Sequence, residues 1–256
     1  MIKELNHIGL VTSTMDESKR FYKDILGGTI IRDSKNEDGL SQFVYIQIGL
    51  GVIELIRASP GARAQGFVHI AYLISHDITL DKVYDYLLAK GYGFTVRPKS
   101  TASGDGRLAF FKDSSNVIFE LIERREDIRI RDLTNPHITA FKHIGIHTTS
   151  EIALKCDRFY TGDMGFMKII GKDAEDERRH LYKLADDHIQ ITEILDKKAI
   201  TRPLHGINLE VESCDKMRTY LIENSVYCTH IYKNSIDECY FYINGPSSEH
   251  IVFSEK

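Results

Sequence analysis

The chain has 256 residues, 42% apolar and 27% charged, with a formal net charge of −4, a composition suited to a water-soluble globular protein of one large or two ordinary domains. So mild a charge argues against a dedicated nucleic-acid or membrane surface, and no apolar run approaches the roughly 18 residues needed to span a bilayer. The first residues lack the apolar core of a signal peptide, which leads to the expectation of a cytoplasmic protein; Cys156, Cys214, Cys228 and Cys239 include no C-x-x-C pair and read as reduced thiols.

In chain order, the first strand expected is 5–11, where His7 opens the apolar run His-Ile-Gly-Leu-Val. A short amphipathic helix is predicted over 15–26, with Thr14 and Glu17 spaced as a capping box and Gly27-Gly28 as its stop. Strands follow at 28–32, 42–48 and 51–57, the last with Glu54 alone among Val52, Ile53, Leu55 and Ile56. The strand at 67–74 carries His69, and Leu80, Val83, Tyr84, Leu87 and Leu88 mark a second helix ending before Gly91. Strands at 94–97, 107–112 and 117–122 close the series, and Glu120 sits alone in Val117-Ile-Phe-Glu-Leu-Ile122.

An unpaired carboxylate in an apolar interior costs several kcal/mol or more, so it calls for a cation, a hydrogen-bond network or a metal. Two histidines and two glutamates in strand-like apolar surroundings suggest one divalent metal site. The plainer alternative is four satisfied polar residues in a fold that has lost its metal.

The order strand, helix, strand, strand, strand occurs twice by residue 124, and spacing extends it to the second half. His7 to Glu54 is 47 residues, as is His143 to Gln190; Glu54 to His69 is 15, as is Gln190 to His205. Phe21-Tyr22 recurs as Phe159-Tyr160, and the stop Leu26-Gly27 as Met164-Gly165. Four modules are the simplest account, divided as a first domain over 1–124, a linker over 125–139 and a second domain over 140–256.

Leu5-Asn-His-Ile-Gly-Leu-Val followed by Phe21-Tyr22, together with Phe111-Lys-Asp-Ser-Ser-Asn-Val-Ile-Phe-Glu-Leu121, resembles the vicinal oxygen chelate superfamily of glyoxalases, bleomycin-resistance proteins and extradiol dioxygenases. The first half is most similar to glyoxalase I and methylmalonyl-CoA epimerase-like proteins. Ser114 stands where that family's closing signature usually has proline. The resemblance implies an α+β fold of tandem βαβββ modules paired into half-open barrels around a metal. It also implies His7, Glu54, His69 and Glu120 as the metal ligands. Strand alternation agrees: His7, Gly9 and Val11 share one face, leaving Ile8 and Leu10 to pack under helices, and the small Gly9 and Ala71 would keep a pocket floor open. Such a ligand set suits Zn, Ni, Co, Mn or Fe, and the sequence does not choose among them. In the second half His143, Gln190 and His205 stand at the first three positions. The fourth, aligned on Pro246-Ser247, is Val252, with Glu249 and Glu255 on the opposite strand phase, so a degenerate site is expected there.

The leading expectation is therefore a metal-dependent isomerase or lyase that moves a proton next to a carbonyl through a metal-stabilised enediolate, acting on a small-molecule substrate. The resemblance implicates Glu54 or Glu120 as the base, and Glu37 as a second candidate whose bland reading is a solvated loop acid. The short loop 58–66 weighs against a coenzyme A substrate. Arg57, Arg97 and Arg107 are open candidates for contacts with an acidic substrate. An extradiol-type dioxygenase and a non-catalytic antibiotic-binding resistance protein remain the alternatives. Closure of the modules within one chain or across a homodimer is left open.

Overall fold

The computed structural model describes residues 1–62, 65–102, 104–124, 126–169, 177–195, 200, 202–234 and 237–256. The order strand, helix, three strands is realised four times. The first module is β1 (Ile2–Thr12), α1 (Met15–Arg20), β2 (Thr29–Lys35), β3 (Ser41–Ile48) and β4 (Gly51–Arg57). The second is β5 (Gly66–Ile74), α2 (Leu80–Ala89), β6 (Phe94–Ser100), β7 (Gly106–Lys112) and β8 (Ile118–Arg124). The third is β9 (Ala140–Thr148), α3 (Ser150–Asp157), β10 (Met167–Ile169), β11 (Glu177–Leu184) and β12 (Asp187–Ile194). The fourth is β13 (Leu204–Val211), α4 (Cys214–Glu223), β14 (Tyr232–Lys233), β15 (Cys239–Asn244) and β16 (His250–Glu255).

Two eight-stranded mixed sheets result, β2-β3-β4-β1-β5-β8-β7-β6 and β10-β11-β12-β9-β13-β16-β15-β14. The second order is the first shifted by eight strands, and neither sheet closes into a barrel. The fold is thus α+β and glyoxalase-like, built from repeated modules. Parallel pairing of β1 with β4, β5 with β8 and β13 with β16 brings a module's first strand beside its last, which the intervening helix permits by carrying the chain across. Among the described residues no helix is long and apolar enough to cross a membrane.

The chain packs into two compact units: Met1–His7 with His69–Asp127 and Gly145–Leu204, and Ile8–Val68 with Ile128–Ile144 and His205–Lys256. In the first unit Phe111, Phe119, Phe159 and Tyr160 form a continuous ring cluster with centroids 4.9 to 6.1 Å apart. In the second, Gly51 gives way to the Phe141 ring, which would lie 2.1 Å from an added Cβ.

The first helix departs from expectation in two ways. Thr14 makes no side-chain cap; instead the Thr12 hydroxyl accepts the Thr14 N–H at 3.1 Å and pairs with Ser18 Oγ at 2.8 Å. Beyond Arg20 the chain widens into a π-helical turn, Phe21–Ile25, and after α3 the same happens over Arg158–Asp163. Each turn aims the tyrosine of the repeated Phe-Tyr pair at a buried carboxylate: Tyr160 Oη donates to Asp113 Oδ2 at 3.2 Å in the first unit, and Tyr22 Oη to Glu249 Oε1 at 2.6 Å in the second.

These acids organise equivalent tight turns before β8 and β16. Asp113 accepts from the Ser115 and Val117 N–H groups, both at 2.9 Å, while Asn116 takes φ +67°. In the other turn Ser248 takes φ +61°, the Ser247 N–H donates to Glu249 Oε2 at 2.7 Å, and the residue equivalent to Asp113 is Gly245. A Cβ on Gly245 would lie 2.2 Å from Glu249 Oε1. The carboxylate has moved from the first to the last residue of the turn, and glycine makes room for it.

Burial pushes the Asp113 carboxyl up to about 6, against the lowering pull of its hydrogen bonds from Ser115, Val117 and Tyr160. A carboxyl raised in the folded state stabilises fully below its unfolded value, here 3.8, and that contribution is lost as pH rises through about 6. Between about pH 4 and pH 6 the wild type should therefore lose stability relative to Asp113→Asn in chemical denaturation; parallel stability curves would contradict the assignment.

Candidate metal centre

His7 lies on β1, Glu54 on β4, His69 on β5 and Glu120 on β8. Alternation places Ile8, Leu10, Ile70, Tyr72, Phe119 and Leu121, all fully buried, on the opposite faces of their strands. Register sets Glu54 beside Gly9 and Glu120 beside Ala71, so each carboxylate has a small neighbour.

The four side chains converge, with one ligand atom of each lying within 4.8 Å of all the others, and none is more than 7% exposed. His7 Nε2 stands 3.0 Å from His69 Nε2 and 3.2 Å from Glu120 Oε2, and His69 Nε2 is 3.3 Å from the same oxygen. His7 Nδ1 donates to Asn6 Oδ1 at 2.9 Å, which leaves Nε2 with its lone pair pointing inward. Tyr45, the cross-strand partner of Glu54, donates to Glu54 Oε1 at 2.5 Å. The Phe110 ring lies edge-on to His69 at 5.7 Å.

This donor set fits a divalent cation. Ligand atoms about 2.1 Å from one ion are separated by about 3.0 Å at right angles and about 3.4 Å at tetrahedral angles. The observed 3.0, 3.2 and 3.3 Å fall in that range. Burial works against ionising Glu120, but with His69 and His7 protonated their hydrogen bonds and charge hold its carboxyl down at about 2. A site that keeps a buried carboxylate ionised beside two imidazoles is arranged for positive charge.

A family model, the Glyoxalase/Bleomycin resistance protein/Dioxygenase superfamily, matches residues 4–121. The uncharacterized protein YwkD of Bacillus subtilis is 30% identical over 132 residues, 48% of this chain and 99% of that protein. The chain belongs to this superfamily. The fosfomycin resistance protein FosX of Listeria innocua is 27% identical over 123 residues, 47% of this chain and 90% of its own. In fold, the Mn(II)-bound glyoxalase of Novosphingobium aromaticivorans matches with a TM-score of 0.74 at 16% identity, over 99% of this chain and 82% of the glyoxalase.

Of the remaining sequence candidates, Glu37 is exposed at the tip of the β2–β3 hairpin, outside the four-residue group. Arg107 forks onto Asp81 at 2.6 and 2.9 Å, Arg97 is exposed, and Arg57 donates to the Ser41 carbonyl at 2.6 Å. Within the loop 58–66, residues 63–64 lie outside those described, as do residue 125 of the linker stretch and residue 103.

The second half does not assemble the same set. The matched turns at 113–117 and 245–249 put Val252 where Glu120 stands, because each follows its turn's first residue by seven positions. Glu249 is held in its turn by Tyr22 and Ser247. Gln190 donates to Thr192 Oγ1 at 3.3 Å, and the His205 ring leans on His250 with centroids 4.3 Å apart.

Sequence reasoning missed Asn6 and Tyr45. The signal for Tyr45 was present: a two-residue turn at Gly49-Leu50 between β3 and β4 fixes the pairing that sets it opposite Glu54. Glu120→Gln, nearly isosteric, should lower metal content below a tenth of the wild type with the fold retained, read by elemental mass spectrometry and circular dichroism. Glu249→Gln should leave metal content unchanged while costing about 1–3 kcal/mol of stability in denaturant titration, since it disturbs a buried hydrogen-bonded group.

Proposed function

We propose that the chain is a metal-dependent enzyme of glyoxalase type, moving a proton next to a carbonyl of a small-molecule substrate. The observation that carries this reading is the convergence of His7 Nε2, His69 Nε2 and Glu120 Oε2 within 3.0 to 3.3 Å, in a buried group that also includes Glu54. His7, Glu54, His69 and Glu120 would hold the cation. A divalent ion there acts as a Lewis acid that polarises a carbonyl and stabilises negative charge developing on its oxygen.

The chain's own residues divide the remaining work. Glu120, in contact with both imidazoles, would serve as an anion that balances the charge of the cation. Glu54, whose orientation Tyr45 fixes, is the carboxylate assigned to take the substrate proton and return it. Phe110, edge-on to His69, limits the room beside the imidazole. The likeness to FosX supports including electrophilic antibiotics among the substrates tested.

The test is metal content and turnover of the purified chain, as isolated and after reconstitution, with His7→Ala alongside. About one equivalent of metal in the wild type and none in His7→Ala is expected. Hemithioacetals, acyl-CoA thioesters and fosfomycin are then screened, with exchange of the proton next to the carbonyl followed in deuterated water. Glu54→Gln should abolish that exchange while Glu120→Gln abolishes metal binding. No metal in any preparation would overturn the reading.

A further inference from the structure

We infer that Asn6 and Tyr45 are positioning residues that set the ligand group before any ion arrives, resting on the metal reading of His7, Glu54, His69 and Glu120. Both are buried side chains, 2% and 9% exposed, and each makes a hydrogen bond to a candidate ligand. Asn6 Oδ1 accepts the proton of His7 Nδ1 at 2.9 Å. An imidazole fixed in that tautomer presents Nε2 unprotonated, so binding needs neither a change of tautomer nor a search over ring orientations.

Tyr45 acts on the other ligand type. Its hydroxyl donates to Glu54 Oε1 at 2.5 Å, the short separation of a charge-assisted bond between a phenol and a carboxylate. The contact follows from strand register, since Tyr45 and Glu54 are direct partners of the β3–β4 hairpin. With Oε1 engaged by Tyr45, Glu54 is kept from swinging round to chelate an ion with both oxygens. Single-oxygen ligation favours compact ions with few, well-directed ligands over calcium, which takes six to eight oxygens and often a two-oxygen carboxylate. Tyr45 is thus placed to tune metal choice as well as affinity.

Neither role is visible in the four ligands alone. Outer residues that orient metal ligands are worth about 10–100-fold in affinity where they have been removed.

Manganese affinity is measured by electron paramagnetic resonance titration of the full chain, with calcium as competitor and the melting temperature of the metal-free protein recorded for every variant. Tyr45→Phe, which deletes one oxygen atom, should weaken manganese binding about 10-fold or more and let calcium compete at lower concentration. Asn6→Ala should weaken manganese comparably, and Asn6→Asp, which still accepts from Nδ1–H, should restore it. A merely structural role would lower the melting temperature of the metal-free protein with manganese affinity within two-fold of wild type, and that result would overturn the inference while leaving the metal reading intact. Failure of the wild type itself to bind manganese, zinc, nickel, cobalt or iron would overturn both.

Discussion

Two imidazole nitrogens and a carboxylate oxygen meet within 3.3 Å of one another in the interior, and the surrounding structure is arranged to keep them there. Acceptors so close repel one another unless positive charge lies among them, and taking a carboxylate out of water costs several kcal/mol even after relaxation. Strand pairing fixes the backbone from which the group projects: His7, His69 and Glu120 each stand on a strand whose opposite face is packed with Ile8, Leu10, Ile70, Tyr72, Phe119 and Leu121. An ion bound there would meet a group whose convergence the fold has already brought about.

The repeated module carries a second constraint, separate from the metal. Each half ends in a tight turn whose backbone N–H groups bind a buried carboxylate, and each carboxylate also receives a tyrosine from a π-helical turn. One turn supplies the acid from its first residue, Asp113, and the other from its last, Glu249, with Gly245 leaving the space. The chemistry is conserved within the chain while the residue that performs it is not. Glu249 is consequently a turn acid with a raised pKa, driven up chiefly by burial, and not a displaced metal ligand.

The same fold therefore supports two different outcomes. In the first half all four candidate ligand positions carry a histidine or a glutamate, small residues lie beside both carboxylates, and Asn6 and Tyr45 hydrogen-bond to two of the four. In the second half Val252 stands at the carboxylate position, Gln190 turns to Thr192, and His205 packs on His250. Four modules thus carry one complete set of candidate ligands, because the second half has Gln190 and Val252 at the positions of Glu54 and Glu120.

The sequence by itself determined the module order, the strands and helices of the first half to within a few residues, the four converging side chains and the lack of a carboxylate at position 252. Those features are written in strand alternation, in glycine stops and in lone polar residues inside apolar runs, all of which are local signals. The failed capping box belongs with the features decided elsewhere: the hydroxyl of Thr12 takes the role expected of Thr14, because the chain enters α1 directly from β1 and folds that side chain under the helix. Only the tertiary structure decided which carboxylate is held by imidazoles and which by a phenol, since that depends on register between strands. It alone decided that Glu249 belongs to Tyr22, a contact across 227 positions of sequence, and that Asn6 locks one imidazole. Side-chain hydrogen bonds leave no periodicity in a sequence, whether their partners are adjacent, as Asn6 and His7 are, or far apart, as Tyr22 and Glu249 are, so they became legible only once the backbone placed the side chains within 3 Å.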